Sequence, residues 1–335
     1  MQRLKYSDFE IGPIIGAGTV GTIYKVSRKD GDEEFALKLL SPNVISDKLT
    51  VSRFEREILI LSKLSHPHIV TYYGQGTHDG QLFYIMEFVG GGTLKDLLAR
   101  SGALSWQEVA ECGRQLSSAL QYAHNHGVIH RDLKPGNVYL KKDAHLKLGD
   151  FGIARDTLSQ DLTDVGLTVG TYSYMSPELV RGQREITGKS DLYALGCLLF
   201  ELLTGRAPYP GDNFAQIFEQ HLNSTPPRPS HSCDCPKSFD ELIKTLLEKS
   251  PDNRPFNARS VQGLLTEMLD EEGWNVESAE STEDDLGAAN VNRAQASIAE
   301  RLQASVGDRQ SIPWWQLVLV LVGSVLVVVA AVAFG

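Results

Sequence analysis

His130-Arg131-Asp132-Leu133-Lys134-Pro135-Gly136-Asn137, followed by Asp150-Phe151-Gly152, decides how this chain reads. Between the two clusters, Val138–Leu140 and Leu146–Leu148 read as brief strands joined at Lys142-Asp143. Such a strand-loop-strand unit brings the two polar clusters face to face. Asp132 can orient a hydroxyl and accept its proton, and Lys134 can neutralise charge on a moving phosphoryl group. Asn137 and Asp150 supply the hard oxygen donors that magnesium prefers. Asp and Asn are also ordinary turn formers, so each residue alone says little. The whole set at this spacing points to phosphoryl transfer.

Upstream, Ile11 to Val26 alternates and is interrupted by Gly16-Ala17-Gly18-Thr19-Val20-Gly21. Dinucleotide-binding folds use a similar glycine pattern to open a helix. Here the β-branched and aromatic Thr22-Ile23-Tyr24-Lys25-Val26 follows, so the element reads as a hairpin. Lys38 sits among Phe35, Leu37, Leu39 and Leu40, a setting that buries an ammonium and demands a partner. Phe54, Ile58, Leu61 and Leu64 have helical spacing. Leu82 to Val89 reads as a strand running into Gly90-Gly91-Gly92. Downstream lie Gly170-Thr171-Tyr172-Ser173-Tyr174-Met175-Ser176-Pro177-Glu178 and Ser250-Pro251-Asp252-Asn253-Arg254-Pro255.

In this order the segments resemble the eukaryotic-type (Hanks-type) serine/threonine protein kinase family, over about Tyr6 to Leu269. The resemblance implies an α+β, bilobal fold: a small β-rich N-lobe over about 6–86, a hinge at 87–92 and a larger, mainly helical C-lobe over 93–269. It implies ATP with Mg2+, or alternatively Mn2+, held by Asn137 and Asp150. Gly16, Gly18 and Gly21 would fold over the phosphates, with Ile15 and Ile23 on the base. Lys38 would hold the α- and β-phosphates and pair with Glu57, or with Glu55 if the register shifts. Met86 would be the gatekeeper, the Glu87–Val89 backbone would meet the adenine edge, and Ala36, Met86 and Tyr139 would line the base pocket. Three positions depart from the usual pattern: Tyr139 is bulkier than the common aliphatic residue, Thr93 stands at an acidic ribose contact, and Ser176 replaces alanine.

Lys134 and Thr171 resemble the serine/threonine form of the family, which implies protein substrates carrying Ser or Thr acceptors. Arg131 would bind phosphate on the activation segment, with Thr168 the first candidate and Thr163 and Thr157 behind it. A transient dimer could then serve trans-autophosphorylation. Glu178 would pair with Arg254, and Asp191, opening a helix over Leu192–Thr204, would brace the catalytic loop. Two rivals are a pseudokinase scaffold and a small-molecule kinase; the second usually lacks the Thr171–Glu178 segment.

The 335 residues, 42% hydrophobic and 22% charged, suffice for one large domain and an appendage. A net charge of −10 argues against nucleic acid as a partner. Four cysteines make no disulfide framework at this length. Cys112 and Cys197 fall in apolar helical patterns, and His231, Cys233 and Cys235 lack a fourth metal ligand at a recognised spacing. Residues 270–312 read as an acidic, polar and disordered linker. Residues 314–334 read as a membrane helix: Leu317 to Phe334 carries no charge and follows Trp314-Trp315. Arg293, Arg301 and Arg309 precede it, so the expectation is a single-pass C-terminal anchor with the catalytic domain in the cytoplasm.

Overall fold

A computed structural model of the chain describes residues 2–18, 20–42, 56, 58–151, 172–183, 185–272, 298 and 301. Among the described residues, six strands build the N-lobe sheet: β1 (Gln2–Arg3), β2 (Phe9–Gly18), β3 (Gly21–Arg28), β4 (Glu34–Leu40), β5 (Tyr72–His78) and β6 (Gln81–Glu87). Their order in the sheet is β1-β5-β6-β4-β3-β2. The two-residue alternation of β4 sorts its side chains onto two faces. Phe35 and Leu37 join Leu4, Phe9, Val26, Phe83 and Ile85 in an outer cluster. Ala36 and Leu40 face the other way and join Tyr84 and Met86 in the main core. Lys38 shares that inner face, opposite Tyr84 in register.

β1 was not expected. It runs parallel to β5, with Gln2 opposite Gly74 and Arg3 opposite Gln75. A Cβ on Gly76 would lie 2.2 Å from the Leu4 carbonyl oxygen, so only glycine admits this approach. Tyr6 stacks on His78 at 3.7 Å and meets Phe83 edge-on, fixing the segment to the sheet.

The C-lobe contains α1 (Leu94–Ser101), α2 (Trp106–Asn125), α3 (Pro177–Val180), α4 (Gly188–Thr204), α5 (Phe214–Asn223), α6 (Lys237–Leu246) and α7 (Ala258–Glu271). The hairpin of β7 (Val138–Leu140) and β8 (Leu146–Leu148) lies where the sequence placed it. Ser105 starts α2 through a reciprocal capping box with Glu108. α4 is apolar on nearly every side, which marks a helix buried all round. It begins a turn earlier than expected, because Thr187 accepts the Lys189 N–H and caps it; Asp191 therefore lies within its first turn.

Two positions of the expected linker touch the C-lobe. Ile298 is 3% exposed and belongs to the main core, and Arg301 Nε lies 3.5 Å from Glu108 Oε1. Glu55, Glu57, Thr157, Thr163, Thr168, Thr171 and the 314–334 run lie outside the described residues. Among the described residues no helix is long and apolar enough to cross a membrane.

Three helices meet at Gly113, where a Cβ would lie 2.9 Å from Leu265 Cδ1 and 3.2 Å from Leu199 Cδ2. Gly263, on the exposed side of α7, would meet nothing within 4 Å. Gly113→Val should therefore destabilise the fold by about 1–3 kcal/mol through overpacking. Gly263→Ala should stabilise it by about 0.5–1 kcal/mol through helix propensity. Chemical denaturation of the two variants should show these opposite signs.

Candidate active site

Asp191 organises the loop before β7. It is 1% exposed and accepts three hydrogen bonds: from His124 Nε2 at 2.7 Å, His130 N at 2.8 Å and Arg131 N at 2.9 Å. Burial alone would raise its pKa, but the hydrogen bond and charge of His124, with help from His130, hold it below the usual carboxylate range. Arg131 adopts φ 62, a left-handed conformation that costs a side-chain-bearing residue about 1–3 kcal/mol unless neighbours impose it. The Asp191 bonds on both sides of the His130–Arg131 peptide impose it. The sequence offers no sign of His124's role, because it is one polar residue among many along an amphipathic helix.

His130 is fully buried, and its two ring nitrogens have different tasks. Nδ1 accepts the Asp132 N–H at 3.3 Å, so Nε2 carries the proton and donates to the Gly149 carbonyl at 3.0 Å. This bond joins the catalytic loop to the segment after β8. A second tie, Gly149 N to the Asn137 carbonyl at 3.0 Å, continues the hairpin register past Val138 and Leu148. Asn137 and Asp150 thus come to the same end of the hairpin, as the sequence implied.

Asp132 Oδ2 accepts from Lys134 Nζ and from Asn137 Nδ2, both at 2.9 Å. Asn137 Nδ2 also donates to the Asp132 carbonyl at 2.7 Å. With its nitrogen committed, Asn137 presents Oδ1 as a hard oxygen donor. Asp150 receives Lys38 Nζ on Oδ1 at 2.6 Å and the Tyr139 hydroxyl on Oδ2 at 2.8 Å. Burial would raise the Asp150 pKa, but Lys38, then the Tyr139 hydroxyl, outweigh it and keep the carboxylate ionised. An amide oxygen beside an ionised carboxylate suits a divalent cation. Lys38 therefore has its expected buried setting, with Asp150 as its observed partner.

The rest of the cleft refines the expectations. The Glu87 N–H donates to the Thr71 carbonyl at 2.8 Å, so that amide is committed within the fold rather than open to an adenine edge. The Glu87 side chain pairs with Lys147 at 2.9 Å, a contact the sequence did not signal. Val89 packs against the core, and Gly91 donates to the Leu140 carbonyl, where a Cβ would intrude to 2.2 Å. Ile15 is exposed and Ile23 is half-buried. Gly16 and Gly18 pair with Ile23 and Gly21 around the turn. Gly21 answers a constraint of the sheet itself, since a Cβ there would lie 2.2 Å from the Leu39 carbonyl. Thr93 caps α1, its hydroxyl bound to Asp96 at 2.8 Å.

Below the cleft, Arg254 forms a bidentate pair with Glu178 at 2.7 and 2.9 Å, as expected, with both side chains buried. Its other donors reach the carbonyls of Glu248, Lys189 and Lys249, so all five guanidinium hydrogens are used. Ser176, directly before α3, is fully buried. Burial would raise the Glu178 pKa from 4.5, but Arg254 outweighs it and the folded value is lowered. The pair's contribution is therefore complete above pH 4.5 and is lost as the pH falls through the folded value. Glu178→Gln should cost on the order of 3 kcal/mol at neutral pH, because Arg254 stays buried without its counter-charge. The gap between variant and parent should narrow in acid, as urea melts across that window would show.

The fold and the cleft agree with the comparisons to known proteins. The family model of the protein kinase domain matches residues 9–265. The chain is 32% identical to the serine/threonine-protein kinase PrkC of Bacillus subtilis, across 94% of this chain and 51% of that protein. It is 34% identical to pkn3 of Myxococcus xanthus, across 92% and 58%, and 35% identical to PknH of Mycobacterium bovis, across 79% and 44%. The chain thus spans about half the length of these curated relatives. Among solved structures, Rad53 1-466 in complex with AMP-PNP superposes with a TM-score of 0.65 at 29% identity, covering 77% of this chain and 64% of that one. The chain belongs to the Hanks-type serine/threonine protein kinase family.

Proposed function

We propose that this protein transfers the γ-phosphate of ATP to Ser or Thr hydroxyls of protein substrates. The observation that carries this reading is the convergence of Lys134 and Asn137 on one carboxylate oxygen of Asp132, with Asp150 and Lys38 paired across the cleft. Lys134 and Asn137 fix the Asp132 carboxylate, which orients the acceptor hydroxyl and takes its proton. Lys134 lies at hand to offset charge on the transferred group, and Lys38 does the same for the remaining phosphates. Asn137 Oδ1 and Asp150 would hold Mg2+, which supplies positive charge to the phosphates when bound. Most of the acceleration then comes from positioning and electrostatics.

The same reading extends to regulation and location. Arg131 and Thr168 support activation-segment phosphorylation, carried out in trans within a transient dimer. The uncharged run Leu317 to Phe334 supports a membrane anchor that leaves the catalytic domain in the cytoplasm.

Full-length protein, solubilised in detergent, should transfer label from γ-labelled ATP with Mg2+ to a generic basic protein. Hydrolysis of the product should place the label on phosphoserine and phosphothreonine. Asp132→Asn should lower the rate by about 10²–10⁴-fold, the usual contribution of a positioned base. Nucleotide binding without any transfer would instead make the protein a nucleotide-dependent scaffold.

A further inference from the structure

Tyr139 stands on β7 with Lys147 opposite it across the hairpin and Thr93 bridged to its other side. The sequence places it on the floor of the base pocket, but its hydroxyl reaches beyond that floor to Asp150 Oδ2 at 2.8 Å. The ring has a prepared seat. A Cβ on Gly149 would lie 2.9 Å from Tyr139 Cε2 and 3.3 Å from Cδ2, and 3.0 Å from Val70 Cγ2. Any side chain at position 149 would therefore push the ring out of place. Gly149 and Tyr139 are matched in shape, and Asp150 follows Gly149 directly. The carboxylate is consequently held from two sides, by Lys38 on Oδ1 and by Tyr139 on Oδ2. Asp150 itself adopts φ 48, a backbone conformation that persists only where neighbours impose it.

We propose that Tyr139 is a positioning residue for the divalent cation, its seated ring and hydroxyl fixing the direction in which Asp150 presents its carboxylate. This rests on the kinase reading of the cleft. Each carboxylate oxygen has two lone-pair directions, so Oδ2 can accept the tyrosine hydroxyl and still face a cation. Hydrogen bonds to ligating carboxylates orient them, and losing one commonly weakens metal binding about 10–100-fold. A ring packed against the bare backbone of Gly149, where no side chain could stand, is built to stay, which favours a strut over a group that must be displaced when the cation arrives.

The test is equilibrium binding of Mn2+ to the full chain in the presence of AMP-PNP, followed by electron paramagnetic resonance of the free ion, with no phosphotransfer involved. Tyr139→Phe keeps the ring and removes only the hydroxyl. It should weaken Mn2+ binding by about tenfold or more, while binding of metal-free AMP-PNP and the unfolding transition stay close to the parent. Gly149→Ala, which displaces the ring, should weaken Mn2+ in the same way. The double variant should lose little more than either single one, because both act through one hydrogen bond. Equal Mn2+ binding by Tyr139→Phe and parent would overturn the strut while leaving the kinase reading intact. Tighter binding by the variant would overturn it in favour of a competing latch. A parent that binds no Mn2+ with AMP-PNP would overturn both readings.

Discussion

The carboxylate of Asp191 is the constraint on which the rest of the cleft depends. It is buried in the first turn of a helix that is itself buried, and it spends its acceptor capacity on two consecutive backbone amides and one imidazole. Those bonds hold Arg131 in a left-handed conformation and so turn the chain between His130 and Asp132. Through His130 the same constraint reaches Gly149, and through Gly149 it reaches Asp150. One carboxylate in the helical lobe therefore sets the distance between the residue that faces the acceptor hydroxyl and the residue that faces the cation.

Among the residues by which the N-lobe meets this arrangement, Lys38 reaches the cation-facing carboxylate directly. The alternation of β4 divides its side chains between an outer cluster and the inner face, and Lys38 emerges among apolar neighbours on the inner one. An ammonium so placed requires an anion. In this structure Asp150 supplies it, so the ion pair doubles as a link between the lobes, beside the Glu87–Lys147 pair. The second buried pair, Glu178 with Arg254, has a different task. With every guanidinium hydrogen engaged, it fixes the short helix after the activation segment against the base of the C-lobe.

Most of the site could be read in the sequence because its residues are chemically dense and separated by short, strongly patterned strands. Asp132, Asn137 and Asp150 are joined by a short hairpin, and the Glu178–Arg254 pair follows from the resemblance of the two segments that carry it. The parts that escaped depend on shape. Tyr139 reads as a bulky pocket floor, and its bond to Asp150 emerges only when the missing side chain of Gly149 is seen to admit the ring. His124 becomes a brace only through the crossing of two helices. A two-residue strand such as Gln2–Arg3 has no periodicity to detect, and its place depends on the bare backbone at Gly76. The start of α4 was missed because Thr187, an unremarkable hydroxyl in a loop, is its cap. Ile298 and Arg301 lie in a stretch whose polar composition conceals two specific contacts with the C-lobe.

The most direct test of this account is the turnover of Asp191→Asn in the full chain, measured beside its nucleotide affinity and the hydrogen exchange of its amides. Asparagine has nearly the same shape but turns an N–H2 group toward a backbone N–H or the imidazole, so one of the three bonds must fail. The account predicts kcat lower by about 10²-fold, the cost of a misplacement near 1 Å. It also predicts faster exchange at His130 and Arg131, nearly unchanged nucleotide affinity and a cooperative unfolding transition. Turnover close to that of the parent, with the loop amides demonstrably freed, would contradict the claim that Asp191 holds the catalytic loop in its working geometry.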